Sequence, residues 1–181
     1  MSIKVIDNFA NIEEQLQIFN YINKTQNLLY LFQTSSYHPD IKNKFITPNT
    51  IDYPQIVHSI FMDDKILNVF LFSCVYNLLH KNKLSNYFIH RIKLNITFPY
   101  PNSEKTHGPI HTDLGKKGIS IIYYVNNSDG DTVFFNEKLN LIKRVSPRQG
   151  RAVVFDSNIK HTACCPVNST HRQIINFVLC K

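Results

Sequence analysis

At 181 residues the chain is long enough for one well-buried core and short for two. Hydrophobic residues make up 43%, which excludes a disordered tail, and no apolar run approaches the roughly 20 residues that cross a bilayer. The formal charge of +7 suits acidic partners, nucleic acid included, but the Lys and Arg residues are dispersed and form no basic arm.

The opening residues Met1 to Asp7 lack the apolar stretch and cleavage site of a signal peptide, so a cytoplasmic location is expected. Cys164 and Cys165 are adjacent while Cys74 and Cys180 stand alone. That spacing gives neither a disulfide framework nor a metal site, and reduced, mostly buried thiols are expected.

Ile3 to Ile6 reads as a short strand. Asn11 is placed to cap a helix, with Glu13 and Glu14 at its positive end and Ile12, Leu16, Phe19 and Ile22 recurring at helical spacing. Residues 28 to 58 are punctuated by Pro39, Pro48 and Pro54, so a strand at 28–33 and then loop with short helical pieces are expected. A second helix is expected over 64–80, apolar on most sides and therefore mostly covered by a sheet.

From Ile89 to Phe98 the residues alternate. Ile92, Leu94, Ile96 and Phe98 share one face, and Arg91, Lys93, Asn95 and Thr97 the other. The apolar face suits the preceding helix; the polar face meets either solvent or a cleft. All five glycines then fall between residues 108 and 150, where the chain turns to short strands: 119–126, 132–135, 139–145, 151–156, 161–165 and 172–179. No repeat or linker interrupts it, so a single domain spanning 1–181 is expected, with helical support in 1–86 and a β core in 87–181.

The chemistry centres on His111-Thr112-Asp113. On a strand, positions i and i+2 point to one face. Gly108-Pro109 keeps this stretch out of a helix interior. His161, returning after a β-rich run, would complete two histidines and one carboxylate, a set that suits non-haem Fe(II). Arg172 follows His161 closely enough for one hairpin turn to bring a guanidinium beside the metal. His107 and His171 read as exposed loop histidines.

These residues, with the strand Ile119 to Asn126, the turn Ser128-Asp129-Gly130-Asp131-Thr132 and the run Gly150 to Asp156, resemble the Fe(II)- and 2-oxoglutarate-dependent oxygenases. The likeness covers residues from about 87 to 181 and is to the prolyl 4-hydroxylase-like branch in particular. It implies an α+β chain with a mainly β core, a double-stranded β-helix (jelly roll, cupin-like) with supporting N-terminal helices. It also implies that His111, Asp113 and His161 bind Fe(II), and that Arg172 holds the distal carboxylate of 2-oxoglutarate, a task suited to a planar, permanently charged fork. The two charges of the iron and the one of Arg172 would balance Asp113 and the doubly ionised cosubstrate.

By the same resemblance Tyr124, and from the same strand face Ser120, would help hold that carboxylate. Asn95 would reach it from the polar face of its strand. The implied reaction uses O2 to hydroxylate a C–H bond, with a prolyl or other peptidyl side chain as the favoured substrate. A nucleobase or small metabolite is the alternative within the class, and a catalytically silent jelly-roll binding protein the alternative outside it.

Overall fold

Alternation at Ile92, Leu94 and Ile96 sets the plan, because it gives one strand an apolar face and a polar face at once. A computed structural model describes residues 3–25, 28–35, 45–103, 106–114 and 117–181; Pro39 and Gly115, read above as loop and turn residues, lie outside them. In chain order the elements are β1 (Ile3–Ile6), α1 (Ile12–Lys24), β2 (Leu31–Gln33), β3 (Gln55–Met62), β4 (Lys65–Ile66), α2 (Val69–Lys81) and β5 (Phe88–Thr97). They continue with β6 (Gly118–Tyr124), β7 (Thr132–Phe135), β8 (Leu141–Val145), β9 (Ala152–Asp156), β10 (Lys160–Ala163) and β11 (Arg172–Cys180).

An eight-stranded antiparallel sheet runs in the order β1-β9-β6-β11-β5-β3-β2, with β4 paired to β3. A three-stranded sheet, β10-β7-β8, accompanies it. The chain is a mostly β double-stranded β-helix, a jelly roll carrying two helices among the described residues.

The helices pack on one face of the large sheet. Ile92, Leu94 and Ile96 of β5 join Phe177 and Leu179 of β11 and Ile121 and Tyr123 of β6 in a core with Ile18, Leu71, Val75 and Leu78. Each such aliphatic side chain contributes about 1.5–3 kcal/mol by leaving water. Helix α1 begins where expected: Asn11 accepts from the Glu14 amide at 2.9 Å, and Glu14 accepts from the Asn11 amide at 2.6 Å.

Three expectations for the N-terminal half are corrected. The buried stripe of α1 runs through Ile18 and Ile22, leaving Ile12 75% and Leu16 50% exposed, because the helix is rotated one step from the face that all four apolar positions would share. Helix α2 starts at Val69, capped by Asn68; Asp63 and Asp64, both at positive φ, instead turn the β3–β4 hairpin. It buries Leu71, Val75, Leu78 and Leu79 on one stripe, while Val69 and Tyr76 face outward. Finally, 55–58, expected as loop with short helical pieces, forms the first half of strand β3. Its burial does not alternate, since a register irregularity between Ser59 and Phe61 breaks the period of two.

The opposite face of the large sheet looks toward the small one. Apolar residues close one end of that space: Ile122, Tyr124, Val153, Phe155 and Ile174 from the large sheet meet Phe134 of β7. The polar face of β5 lines the remaining space, which stays open as a cavity.

Candidate active site

The structure brings His111, Asp113 and His161 together. Antiparallel pairing sets the two histidines opposite each other: the His111 amide donates to the His161 carbonyl at 3.0 Å, and the His161 amide donates back at 2.9 Å. Asp113, two residues on, hangs its amide on the Ser157 carbonyl at 3.0 Å. One ligand atom from each residue then lies within 4.8 Å of the others. His161 Nε2 is 3.6 Å from Asp113 Oδ2.

Backbone carbonyls orient both imidazoles. His111 Nδ1 lies 3.0 Å from the Pro109 carbonyl and His161 Nδ1 2.9 Å from that of Ile159. A carbonyl only accepts, so each Nδ1 carries the proton and each Nε2 is left with a lone pair for a metal. Phe155 meets the His161 ring edge-on at 4.6 Å and fixes its plane further. Burial pulls the His161 pKa down to about 4, against the opposing pull of Asp113, so the ring is neutral at pH 7. Burial acts to raise the Asp113 pKa, but His161, Arg91, His111 and the Ser120 hydrogen bond outweigh it and hold the carboxyl below its usual range. Two imidazoles and one carboxylate on one face are a donor set that fits Fe(II).

The cavity beside this face encloses about 130 Å³, roughly ten times the ~10–15 Å³ that one water needs. Arg172 lines the same cavity, 2% exposed. Its Nε donates to the Gly130 carbonyl at 2.8 Å and its Nη2 to Thr132 Oγ1 at 2.9 Å, while Nη1 has no hydrogen-bond partner among the described residues. Gly130 is required there. A Cβ on it would sit 2.7 Å from the Cys164 carbonyl oxygen and 3.0 Å from Arg172 Cδ.

Thr132 is a residue that sequence reasoning missed. It is fully buried, and its oxygen accepts from both Arg172 and the Tyr124 hydroxyl, the latter at 2.7 Å. Both acceptor positions are then taken, so its own proton is left for a third group on the cavity side. Across the strands from Arg172, the Thr97 hydroxyl is buried without a partner. A guanidinium nitrogen and two hydroxyls gathered around one pocket end fit a carboxylate.

The remaining expected residues are placed as follows. Asn95 lines the cavity, donating to Gln55 Oε1 at 3.0 Å with its own Oδ1 unpartnered. Tyr124 and Ser120 are fully buried and sit one step back from the cavity. Tyr124 acts on Thr132, and Ser120 donates to Asp113 Oδ2 at 2.5 Å. Arg91 reaches the metal face, with Nη2 3.4 Å from Asp113 Oδ1. His107 is buried, correcting the expectation of an exposed loop residue. Its Nε2 meets Thr47 Oγ1 at 3.2 Å and Nδ1 the Gly108 carbonyl at 2.7 Å, partners that withdraw it from solvent.

Residues 99–179, which hold the whole triad and Arg172, match the family described as the 2OG-Fe(II) oxygenase superfamily. Together with the His-Asp-His face, that match marks a dioxygenase that uses Fe(II), 2-oxoglutarate and O2. Solved structures extend the likeness over the whole fold. An oxidoreductase of the 2OG-Fe(II) oxygenase family from Burkholderia pseudomallei is 13% identical, with a TM-score of 0.72 covering 98% of this chain and 84% of that one. A prolyl hydroxylase from Trichoplax adhaerens, solved with a hypoxia inducible factor peptide fragment, is 17% identical with a TM-score of 0.58, covering 98% and 83%. A viral collagen prolyl hydroxylase from Paramecium Bursaria Chlorella virus-1 is 15% identical with a TM-score of 0.55, covering 100% and 97%. At such identities these likenesses speak for the oxygenase's fold. A search of curated proteins finds no match to this sequence, and no helix among the described residues is long and apolar enough to cross a membrane.

Proposed function

We propose that this dioxygenase hydroxylates a C–H bond of a prolyl or other peptidyl side chain, with the whole chain acting as one catalytic domain. His111 and His161 hold the iron through Nε2 and Asp113 through its carboxylate. Arg172 holds the distal carboxylate of 2-oxoglutarate. Bound iron, with 2-oxoglutarate and O2, supplies the oxidising power that inserts one oxygen atom into the substrate and leaves succinate and carbon dioxide.

The protein's own part is positional. The carbonyls of Pro109 and Ile159 keep both imidazoles in the metal-binding tautomer. Ser120 steadies Asp113 Oδ2, the oxygen that lies 3.6 Å from His161 Nε2 on the metal face. Thr132, itself held by Tyr124, completes the carboxylate seat with Arg172, and Asn95 lines the same cavity. The Trichoplax neighbour, solved with a peptide, supports the peptidyl reading.

The observation that carries the proposal is the placement of a His-Asp-His face and a buried, incompletely paired arginine in the lining of one cavity. Succinate formation from Fe(II), 2-oxoglutarate, O2 and a proline-containing peptide tests it. Wild-type protein should turn over, and His111→Ala should fold yet produce none. Equal succinate from both would overturn the assignment of His111. Turnover of a nucleobase or a small metabolite but of no peptide would replace the substrate class.

A further inference from the structure

Once the metal and cosubstrate are counted, the cavity holds more positive charge than they can use. The iron and Arg172 are balanced by Asp113 and 2-oxoglutarate, as the charges of those groups require. Two cations remain on the same wall: Arg91 and Lys93 of β5. Asp113 is the acid among the described lining residues, and the metal claims it.

Neither cation is satisfied by its surroundings. Arg91 meets Asp113 only loosely, at 3.4 Å, and its Nε is buried without a partner. Lys93 Nζ forms no hydrogen bond or ion pair among the described residues. Burial and the adjacent Arg91 pull its pKa down to about 8, while Asp63 pulls weakly the other way. Opposite Lys93 on β11, Asn176 also lines the cavity, with its Oδ1 buried and unpartnered. Two cations held two residues apart on one strand face, about 7 Å along it, repel each other and would be relieved by an anion.

2-Oxoglutarate has both carboxylates committed, one to Arg172 and one to the metal, and so brings no further charge for Lys93. Arg172 pairs in register with Thr97, four residues from Lys93 and thus roughly 14 Å along the strand. Nucleic acid suits the wall less well than a peptide does. The described cavity lining has one Phe, Tyr or Trp residue, Tyr53, and at 3% exposed its ring offers little stacking platform for an extruded base.

We infer that Arg91 and Lys93 form an anion subsite beside the metal face, and that the substrate is an acidic peptide whose Asp or Glu carboxylate docks there. The inference rests on the peptidyl reading of the same site. The excess of 20 basic over 13 acidic residues would steer such a peptide toward the chain.

Calorimetric titration with the unlabelled peptides Gly-Glu-Pro-Glu-Gly and Gly-Gln-Pro-Gln-Gly tests it, using protein loaded with Fe(II) and 2-oxoglutarate without oxygen. The acidic peptide should bind at least tenfold more tightly at low salt, and the gap should narrow as salt is raised. Lys93→Met should reduce the preference to less than threefold while leaving 2-oxoglutarate affinity unchanged. Arg172→Met should do the reverse. Equal binding of the two peptides, binding of neither, an undiminished preference in Lys93→Met, or tighter binding of oligothymidylate than of the acidic peptide would each overturn the inference. Failure of 2-oxoglutarate to bind wild-type protein would instead count against the cosubstrate assignment, which the peptide preference does not measure.

Discussion

Replacing Thr132 with Val keeps the shape of a fully buried side chain and removes one oxygen that two donors share. Tyr124 keeps a poor fallback, the Val145 carbonyl at 3.4 Å, and Arg172 keeps the Gly130 carbonyl at 2.8 Å. Leaving a buried neutral donor unpaired costs about 1–3 kcal/mol, and more for a charged one. The sum is about 2–5 kcal/mol for the ligand-free protein. For a chain of this size a loss near 3 kcal/mol lowers Tm by about 6–12 °C. The 2-oxoglutarate KM should rise roughly 10- to 100-fold, because the carboxylate loses one donor and the guanidinium loses its brace. Thermal unfolding and a 2-oxoglutarate titration read both effects. Combined with Tyr124→Phe, the losses should be less than additive, since that variant has already removed one of the two donors. A Thr132→Val protein within ~0.5 kcal/mol of wild type, with an unchanged 2-oxoglutarate KM and full additivity with Tyr124→Phe, would refute the shared-acceptor account.

Ser120→Ala should weaken metal affinity about 10- to 100-fold while the fold persists, measurable by metal titration, because it frees the Asp113 carboxylate from its 2.5 Å donor. Gly130→Ala forces a Cβ against the Cys164 carbonyl and Arg172, so it should cost about 1–3 kcal/mol and raise the 2-oxoglutarate KM. The metal-free protein should lose stability as pH falls from about 6.5 toward 4. Because the folded pKa of His161 lies below its unfolded value, the unfolded chain takes up protons first, and the lowered Asp113 pKa extends the loss to still lower pH. Denaturant midpoints across that range should show this, and His161→Gln should flatten the slope; an equally steep slope in that variant would assign the effect to other groups. Asn11→Ala should remove about 1 kcal/mol from α1, seen as a lower urea midpoint with an unchanged slope.

The parts of the fold governed by local rules were legible in the sequence. Strict alternation in β5 foretold both an apolar face for the helices and a polar face for a cleft, and the Asn11–Glu14 pair announced the start of α1. Strand β3 was hidden, since Pro48 and Pro54 suggested loop and the Ser59–Phe61 irregularity erased its period. The start of α2 was misplaced because an Asp-Asp pair at positive φ is a weaker hairpin signal than Asn-Gly, and apolar Ile66 and Leu67 seemed to continue the helix backward.

The metal face was readable from the His-x-Asp spacing, but the strand expected there is absent: His111 forms an isolated bridge to His161 and Asp113 lies in a bend held by the Ser157 carbonyl. Thr132 was not readable, because its partners Arg172 and Tyr124 come from different strands and only their packing reveals the shared oxygen. For the same reason Ser120 could be placed on the right strand face without its partner, Asp113, being foreseen.

Anaerobic calorimetry of 2-oxoglutarate binding, with and without Fe(II), tests the central claim most directly, using wild type, His111→Ala and Arg172→Met. The account predicts one Fe(II) per wild-type chain and 2-oxoglutarate binding that depends on that iron. His111→Ala should lose the metal-dependent part, and Arg172→Met should keep iron but bind 2-oxoglutarate at least 100-fold more weakly. Unchanged 2-oxoglutarate affinity in both variants would contradict the claim that these residues hold the iron and its cosubstrate.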